Sequence, residues 1–146
     1  MTTQGIPVKL DFRTRAKTND VPVARLNGFE AKEIGDGRPT VMLTAGPQHA
    51  NPMGMLHGGI LCDIADPAMG MAFASTLAPQ ESFTTSELKI SLFRPVWQAR
   101  LSAQGTVVQR GRTISYVEPD ITDDENRLIA KVASTCMVLR GHKAMG

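Results

Sequence analysis

The spacing of apolar and polar positions changes period once along the chain. From Ile60 to Ala78 apolar residues fall on nearly every side of a helical projection, after a turn signal at Asn51-Pro52 and a His57-Gly58-Gly59 triplet. That stretch predicts one long buried helix of about twenty residues. Before it, Phe29 to Ile34 and Thr40 to Thr44 are short strand-like runs split by Gly35-Asp36-Gly37, a good hairpin turn, and Gly46-Pro47 ends the second run. After Ala78-Pro79 the period drops from helical to alternating. Phe83 to Phe93 predicts a strand with Leu88, Ile90 and Leu92 on one face, closed by Arg94-Pro95. Leu101, Ala103, Gly105 and Val107 mark the next strand, and Gln109 to Arg112 a tight turn. Thr113 to Ile121 continues, with Pro119 implying an edge position or a bulge, and Arg127 to Arg140 follows the Asp123 to Asn126 turn as the last strand. A helix followed by an antiparallel meander predicts an α+β layout with the sheet wrapped around the helix. Residues 1–28 form a polar lead-in whose Val21 to Leu26 stretch is a short helix or turn stopped by Asn27-Gly28. Residues 29–146 form a single domain.

The helix is also where the chemistry concentrates. Glycine costs roughly 1 kcal/mol relative to alanine inside a helix, so a glycine pair at a helix start implies that something approaches the backbone closely. Free N–H groups and the positive end of the dipole make that start a seat for an oxyanion. Asp63 and Asp66 then sit in an otherwise apolar helix, where an unpaired charge is expensive. At about 100° per residue, Gly59, Asp63, Asp66 and Gly70 share one stripe.

Composition narrows the classes. A chain of 146 residues is one domain, long enough for a real core and short for a wide substrate cleft within one subunit. With a net charge of +2 and both signs interspersed, no nucleic-acid footprint is present. Two aspartates and a proline argue against reading the apolar run as a membrane span. Cys62 and Cys136 have no framework spacing and fall in apolar stretches, which predicts buried free thiols in a reducing compartment. Without an apolar signal core at the start of the sequence, a cytoplasmic protein is expected. His49, His57 and the aspartates lack metal-ligand spacing, so neither a metal nor another cofactor is expected.

The pattern Asn51-x5-His57-Gly58-Gly59-x6-Asp66, running on through the small-residue-rich LCDIADPAMGMA, resembles the signature of PaaI-like acyl-CoA thioesterases of the hotdog fold. The resemblance covers roughly Ala50 to Leu139. It implies a hydrolase cleaving acyl-CoA to a free acid and CoA, built as a homodimer whose sheets join edge to edge, commonly paired into a homotetramer, a dimer of dimers. The active site would lie at the dimer interface, between the helix of one subunit and the following strand of the other.

Under that resemblance Asp66 is the catalytic carboxylate, as general base or nucleophile; Asp63, one turn away, is paired structurally or acts on Asp66 by like-charge repulsion, and is the alternate acid if the pattern slips. The Gly59 N–H, with Gly58, polarises the thioester carbonyl. Asn51 bonds the thioester or the attacking water, and His57 orients the loop. Thr85 holds the water, with Thr84 or Ser86 in its place after a one-residue slip. Arg110, Gly111, Arg112 and Thr113 match a CoA-contacting turn whose arginines suit phosphates. Pro67, directly after Asp66, removes a helical hydrogen bond and re-aims the carboxylate. Met53, Met55, Met69 and Met71 are candidates for an adaptable acyl tunnel. Two other readings compete. A hotdog 3-hydroxyacyl-thioester dehydratase or hydratase uses a histidine in a different surrounding motif; a non-catalytic acyl-CoA-binding module does not need a buried acid at the thioester.

Overall fold

The computed structural model describes residues 21–34 and 38–145. The polar lead-in over residues 1–19 and the Gly35-Asp36-Gly37 turn lie outside the described residues. In chain order the elements are α1 (Pro22–Asn27), β1 (Phe29–Ile34), β2 (Arg38–Thr44), a 3-10 turn (Pro47–His49), α2 (Gly58–Ala74), β3 (Ser82–Leu92), β4 (Arg100–Gln109), β5 (Ile114–Asp123), β6 (Leu128–Leu139) and a closing 3-10 turn (Gly141–Met145). The strands make one six-stranded sheet in the order β1-β2-β4-β5-β6-β3 with every pair antiparallel. This sheet with α2 laid across one face is the α+β hotdog arrangement the sequence implies.

Alternation explains which face meets the helix. In β5, Ser115, Val117, Pro119, Ile121 and Asp123 are buried while the residues between them are half-buried, the period-2 signature of a sheet with one covered face. Val41, Leu43, Leu101, Ala103, Ile121, Ala130 and Val132 pack in one cluster with Leu61, Ile64, Ala65 and Ala68 of α2. Met69, Phe73 and Ala74 continue the contact onto Val117, Cys136 and Val138. Each large side chain buried here contributes about 1.5–3 kcal/mol of transfer free energy. Gly105 of β4 sets how closely the helix sits: a Cβ there would lie 2.7 Å from the Ala68 carbonyl and 2.9 Å from the Ala72 methyl. Only a residue without a side chain lets helix and sheet backbones meet at this point.

Two expectations are corrected. The helix is not buried all round, because the sheet covers one face only; Gly59 and Asp66 are exposed, and Cys62, Asp63 and Pro67 are half-buried. Pro119 is neither on an edge strand nor at a bulge: it lies fully buried in β5, between β4 and β6, opposite Gly105. The β5–β6 pairing skips from Val117↔Ser134 to Asp120↔Lys131, so the missing proline N–H is accommodated as a gap in one ladder. In β3, Leu88, Ile90 and Leu92 keep one face, the helix side; Leu92, at the end of the strand against Gly58, is 54% exposed.

Candidate functional site

Among the described residues β3 pairs only with β6, and its register slips between Thr85 and Glu87, so Ser86 is an extra residue with no direct partner. A bulge of this kind re-aims the side chains on either side of it. Strict alternation would put Thr85 and Leu88 on opposite faces. With Ser86 inserted, Phe83, Thr85, Leu88 and Ile90 are all half-buried on the helix side. The Thr85 hydroxyl therefore reaches α2 and donates to Asp66 Oδ1 at 3.1 Å. Thr84 and Ser86 are exposed. Sequence reasoning left the three hydroxyls open; the structure brings Thr85 to the acid, within one chain.

The start of α2 is bare. His57 is its N-cap residue in extended conformation, and no side chain caps the helix. The imidazole of His57 leans over Gly59, where an added Cβ would lie 2.9 Å from Nε2. Gly58 faces Leu92, whose Cδ1 is 3.2 Å from the corresponding Cβ position. With no acidic residue in the first turn and no side-chain cap, and the Ile60 N–H bonded to the His57 carbonyl at 3.0 Å, the Gly58 and Gly59 amides stay available to an external acceptor. Asn51 shapes the preceding loop: its Oδ1 accepts the Met53 N–H at 2.9 Å and the Met55 N–H at 3.1 Å, an Asx turn closed by Asn51 N–H to the Met55 carbonyl at 2.7 Å. Its carboxamide oxygen is thereby committed to the loop, and the amide nitrogen is the end that can meet a ligand. Beside this start, a cleft of about 290 Å³ is lined by Asn51, Met55, Gly58, Leu92, Phe93 and Arg94, with Leu56 and Leu61 behind them. Met55 lines the cleft, Met53 is exposed, Met69 is buried in the core and Met71 is half-buried beside it.

Neither thiol is activated. Burial first, and the Asp63 and Asp66 carboxylates after it, push the Cys62 thiol up. Burial and then Asp66 push Cys136 up to about 11, and its Sγ lies 3.1 Å from Met69 Sδ. Both stay protonated near neutral pH and are poor nucleophiles.

The turn after β4 divides its arginines. Arg110 donates through Nε to Thr76 Oγ1 at 3.1 Å, through a terminal nitrogen to Glu81 at 3.2 Å, and through another to the Gly111 carbonyl, and its guanidinium lies 5.2 Å over the Phe73 ring. Those partners make Arg110 a brace within the chain. Glu81 also holds Arg140 at 2.7 Å, and the Ala78 N–H, followed by Arg140 and Arg110, keeps its carboxyl below the usual carboxylate range. Gly111 leaves no room for a Cβ against the Ile114 carbonyl, and its N–H donates to Ser115 Oγ at 3.0 Å. Arg112 and Thr113 are exposed, and both offer their carbonyls inward, to Arg140 and to the Val138 N–H. The brace was not legible in the sequence, because Glu81, Arg110 and Arg140 meet only through the fold.

Among the described residues no helix is long and apolar enough to cross a membrane. Comparison with known proteins converges on one group. The family described as the thioesterase superfamily matches residues 53–130. A Saccharolobus solfataricus protein named as an esterase, SSO2140, is 31% identical over 71% of this chain and 74% of its own. The BH2602 protein of Bacillus halodurans, solved with CoA, is 32% identical, covers 88% of this chain and 85% of its own, and superposes with a TM-score of 0.78. The Escherichia coli PaaI protein from the phenylacetic acid degradation operon shares the fold at a TM-score of 0.73 and 22% identity, over 88% of this chain and 91% of its own. The chain belongs to the thioesterase superfamily, as a PaaI-like hotdog protein whose class of chemistry is thioester hydrolysis.

Proposed function

We propose that the protein hydrolyses acyl-CoA, with Asp66 as the reacting carboxylate. The observation that carries this reading is the Thr85–Asp66 hydrogen bond of 3.1 Å on the exposed stripe of α2, which shares that stripe with Gly59 at the uncapped start of the same helix. A carboxylate held by one hydroxyl keeps lone pairs for a water or a carbonyl carbon, and the Gly59 amide, with Gly58, receives the charge that develops on the thioester oxygen. The Asn51 amide nitrogen and the His57 ring flank the same entrance. Arg112, Gly111 and Thr113 offer the CoA moiety an exposed turn, Arg112 as the phosphate partner, while Arg110 braces the turn from behind. The BH2602 protein, solved with CoA, supports a CoA ester as substrate.

The assembled enzyme is a dimer, paired further into a tetramer. Support for this comes from β3, an eleven-residue strand at the sheet edge, followed by Phe93 and Trp97, which are 55% and 57% exposed. A second copy would cover that edge and complete the cleft beside Gly58. Two free thiols suit a cytoplasmic location.

The test is free-thiol release from short, long and aryl acyl-CoAs by the wild type and by Asp66→Asn, which keeps shape and removes the base. A drop of about two to four orders of magnitude with binding retained is expected. Thiol release by the variant at the wild-type rate would remove Asp66 from the chemistry.

A further inference from the structure

Hydrolysis as read above depends on where the first turn of α2 points its amides, yet none of the proposed reacting groups holds that turn in place. The other acid on the stripe does. Asp63 is turned away from Asp66 and toward α1: its Oδ2 accepts the Asn27 Nδ2 amide at 2.9 Å. The Asn27 carbonyl is in turn 2.6 Å from His49 Nε2, and His49 Nδ1 accepts the Gly46 N–H at 3.1 Å. An imidazole that accepts at Nδ1 donates at Nε2, so His49 is neutral in this arrangement. His49 is only 4% exposed, and its own carbonyl accepts the N–H of His57, the N-cap of α2, at 2.8 Å. The contacts close a circuit from Asp63 through Asn27 and His49 to His57 and back to α2. Between its two attachments lie Gly58 and Gly59.

We propose that Asp63, Asn27 and His49 are positioning residues for the hydrolysis. They clamp the first turns of α2 at both ends of the glycine pair, fixing the helix roll and with it the aim of the Gly58 and Gly59 amides relative to Asp66. The clamp needs from Asp63 only an acceptor oxygen facing Asn27, not an ionisable acid. This separates it from a second reacting carboxylate, which asparagine could not replace. It also explains why α1, whose Val23 and Leu26 are 48% and 82% exposed, is held against the domain at its final residue.

This inference rests on the hydrolase reading, and the test separates the two. For one acyl-CoA, kcat and KM are measured for wild type, Asp63→Asn, Asp63→Ala, Asn27→Ala and the Asp63→Ala/Asn27→Ala double variant. Asp63→Ala and Asn27→Ala should each lower kcat about tenfold at little-changed KM, and the double variant should be no worse than either. Asp63→Asn should keep kcat within about threefold. A loss of about a hundredfold or more in Asp63→Asn, additive losses in the double variant, or full kcat in Asn27→Ala would each overturn the proposal. Amide hydrogen exchange at Ile60, whose N–H bonds the His57 carbonyl at 3.0 Å, needs no substrate. It should quicken about tenfold in Asn27→Ala and Asp63→Ala and not in Asp63→Asn. If the wild type releases no thiol from any acyl-CoA, the hydrolase reading fails alone, and unchanged exchange at Ile60 would then sink the clamp.

Discussion

At its N-terminal end α2 starts with two glycines, carries no side-chain cap and leaves Gly59 exposed. At its other end Phe73 is fully buried, with Phe83 edge-on at a centroid distance of 5.1 Å and the Arg110 guanidinium 5.2 Å over the ring. Glu81 ties Arg110 and Arg140 together just beyond. One end is held by backbone and a few polar contacts, the other by aromatic packing and ion pairs. On the proposed function, the difference separates stability from reactivity along a single helix: atoms that pack give up their hydrogen-bonding freedom, and atoms that must meet a substrate cannot be packed over.

That separation can be broken from either end. Phe73→Ala should have the largest effect, about 3–5 kcal/mol in urea unfolding, with turnover per folded molecule retained. If kcat falls in proportion, the two ends are not separable. Gly59→Ala should do the opposite. Helix propensity gains up to about 1 kcal/mol, while the new methyl displaces the His57 ring and cuts thiol release roughly ten- to a hundredfold, so the unfolding midpoint holds or rises as the rate falls. The paired arginines sharpen the contrast. Arg112→Gln should raise KM for CoA esters several-fold, most at low salt, with the melting temperature unmoved, and Arg110→Gln should lower the melting temperature instead.

The smallest effect is in pH. Because Glu81 is held below its ordinary value of 4.5, chiefly by the Ala78 N–H and then by the two arginines, its contribution to stability is complete above that value and is lost as the pH falls below it. Asp123 behaves alike: burial pushes its carboxyl up, but the N–H groups of Arg127 and Glu125 and the Arg127 guanidinium outweigh that and leave it lowered. Melting temperature measured from pH 6 to pH 3 should fall less steeply for Glu81→Gln than for the wild type, whose starting value is the higher.

Much of the fold is legible in the sequence wherever one residue's environment is set by its near neighbours. The Asn51-Pro52 turn and the glycine pair mark the start of α2, and alternation marks β4, β5 and β6 to within a residue or two. What stays hidden depends on partners far along the chain. Alternation cannot show that Ser86 is inserted, since a run of Thr84, Thr85 and Ser86 has no apolar residue to betray the change of face. Pro119 suggests an edge strand because the gap in the β6 ladder that accommodates it is visible only in three dimensions. Asp63 leaves structural pairing and a spare acid both open, because Asn27, thirty-six residues away, is invisible as its partner. Arg110 and Arg112 look alike in the sequence and differ only in whether Glu81 is within reach.

The order of strands in the sheet has a consequence for how the chain comes off the ribosome. β3 is made directly after α2, yet its sheet neighbour among the described residues is β6, which follows two strands later. Until β6 emerges, β3 lacks that neighbour, and neither the Ser86 bulge nor the Thr85–Asp66 contact can settle into register. The hydrophobic centre contributed by β2, β4 and β5 can gather earlier, but the acid acquires its hydroxyl only after β6 has been made. A nascent chain stalled before Leu128 would expose β3 without β6 and without a settled Thr85–Asp66 contact, the kind of species that holding chaperones are built to cover.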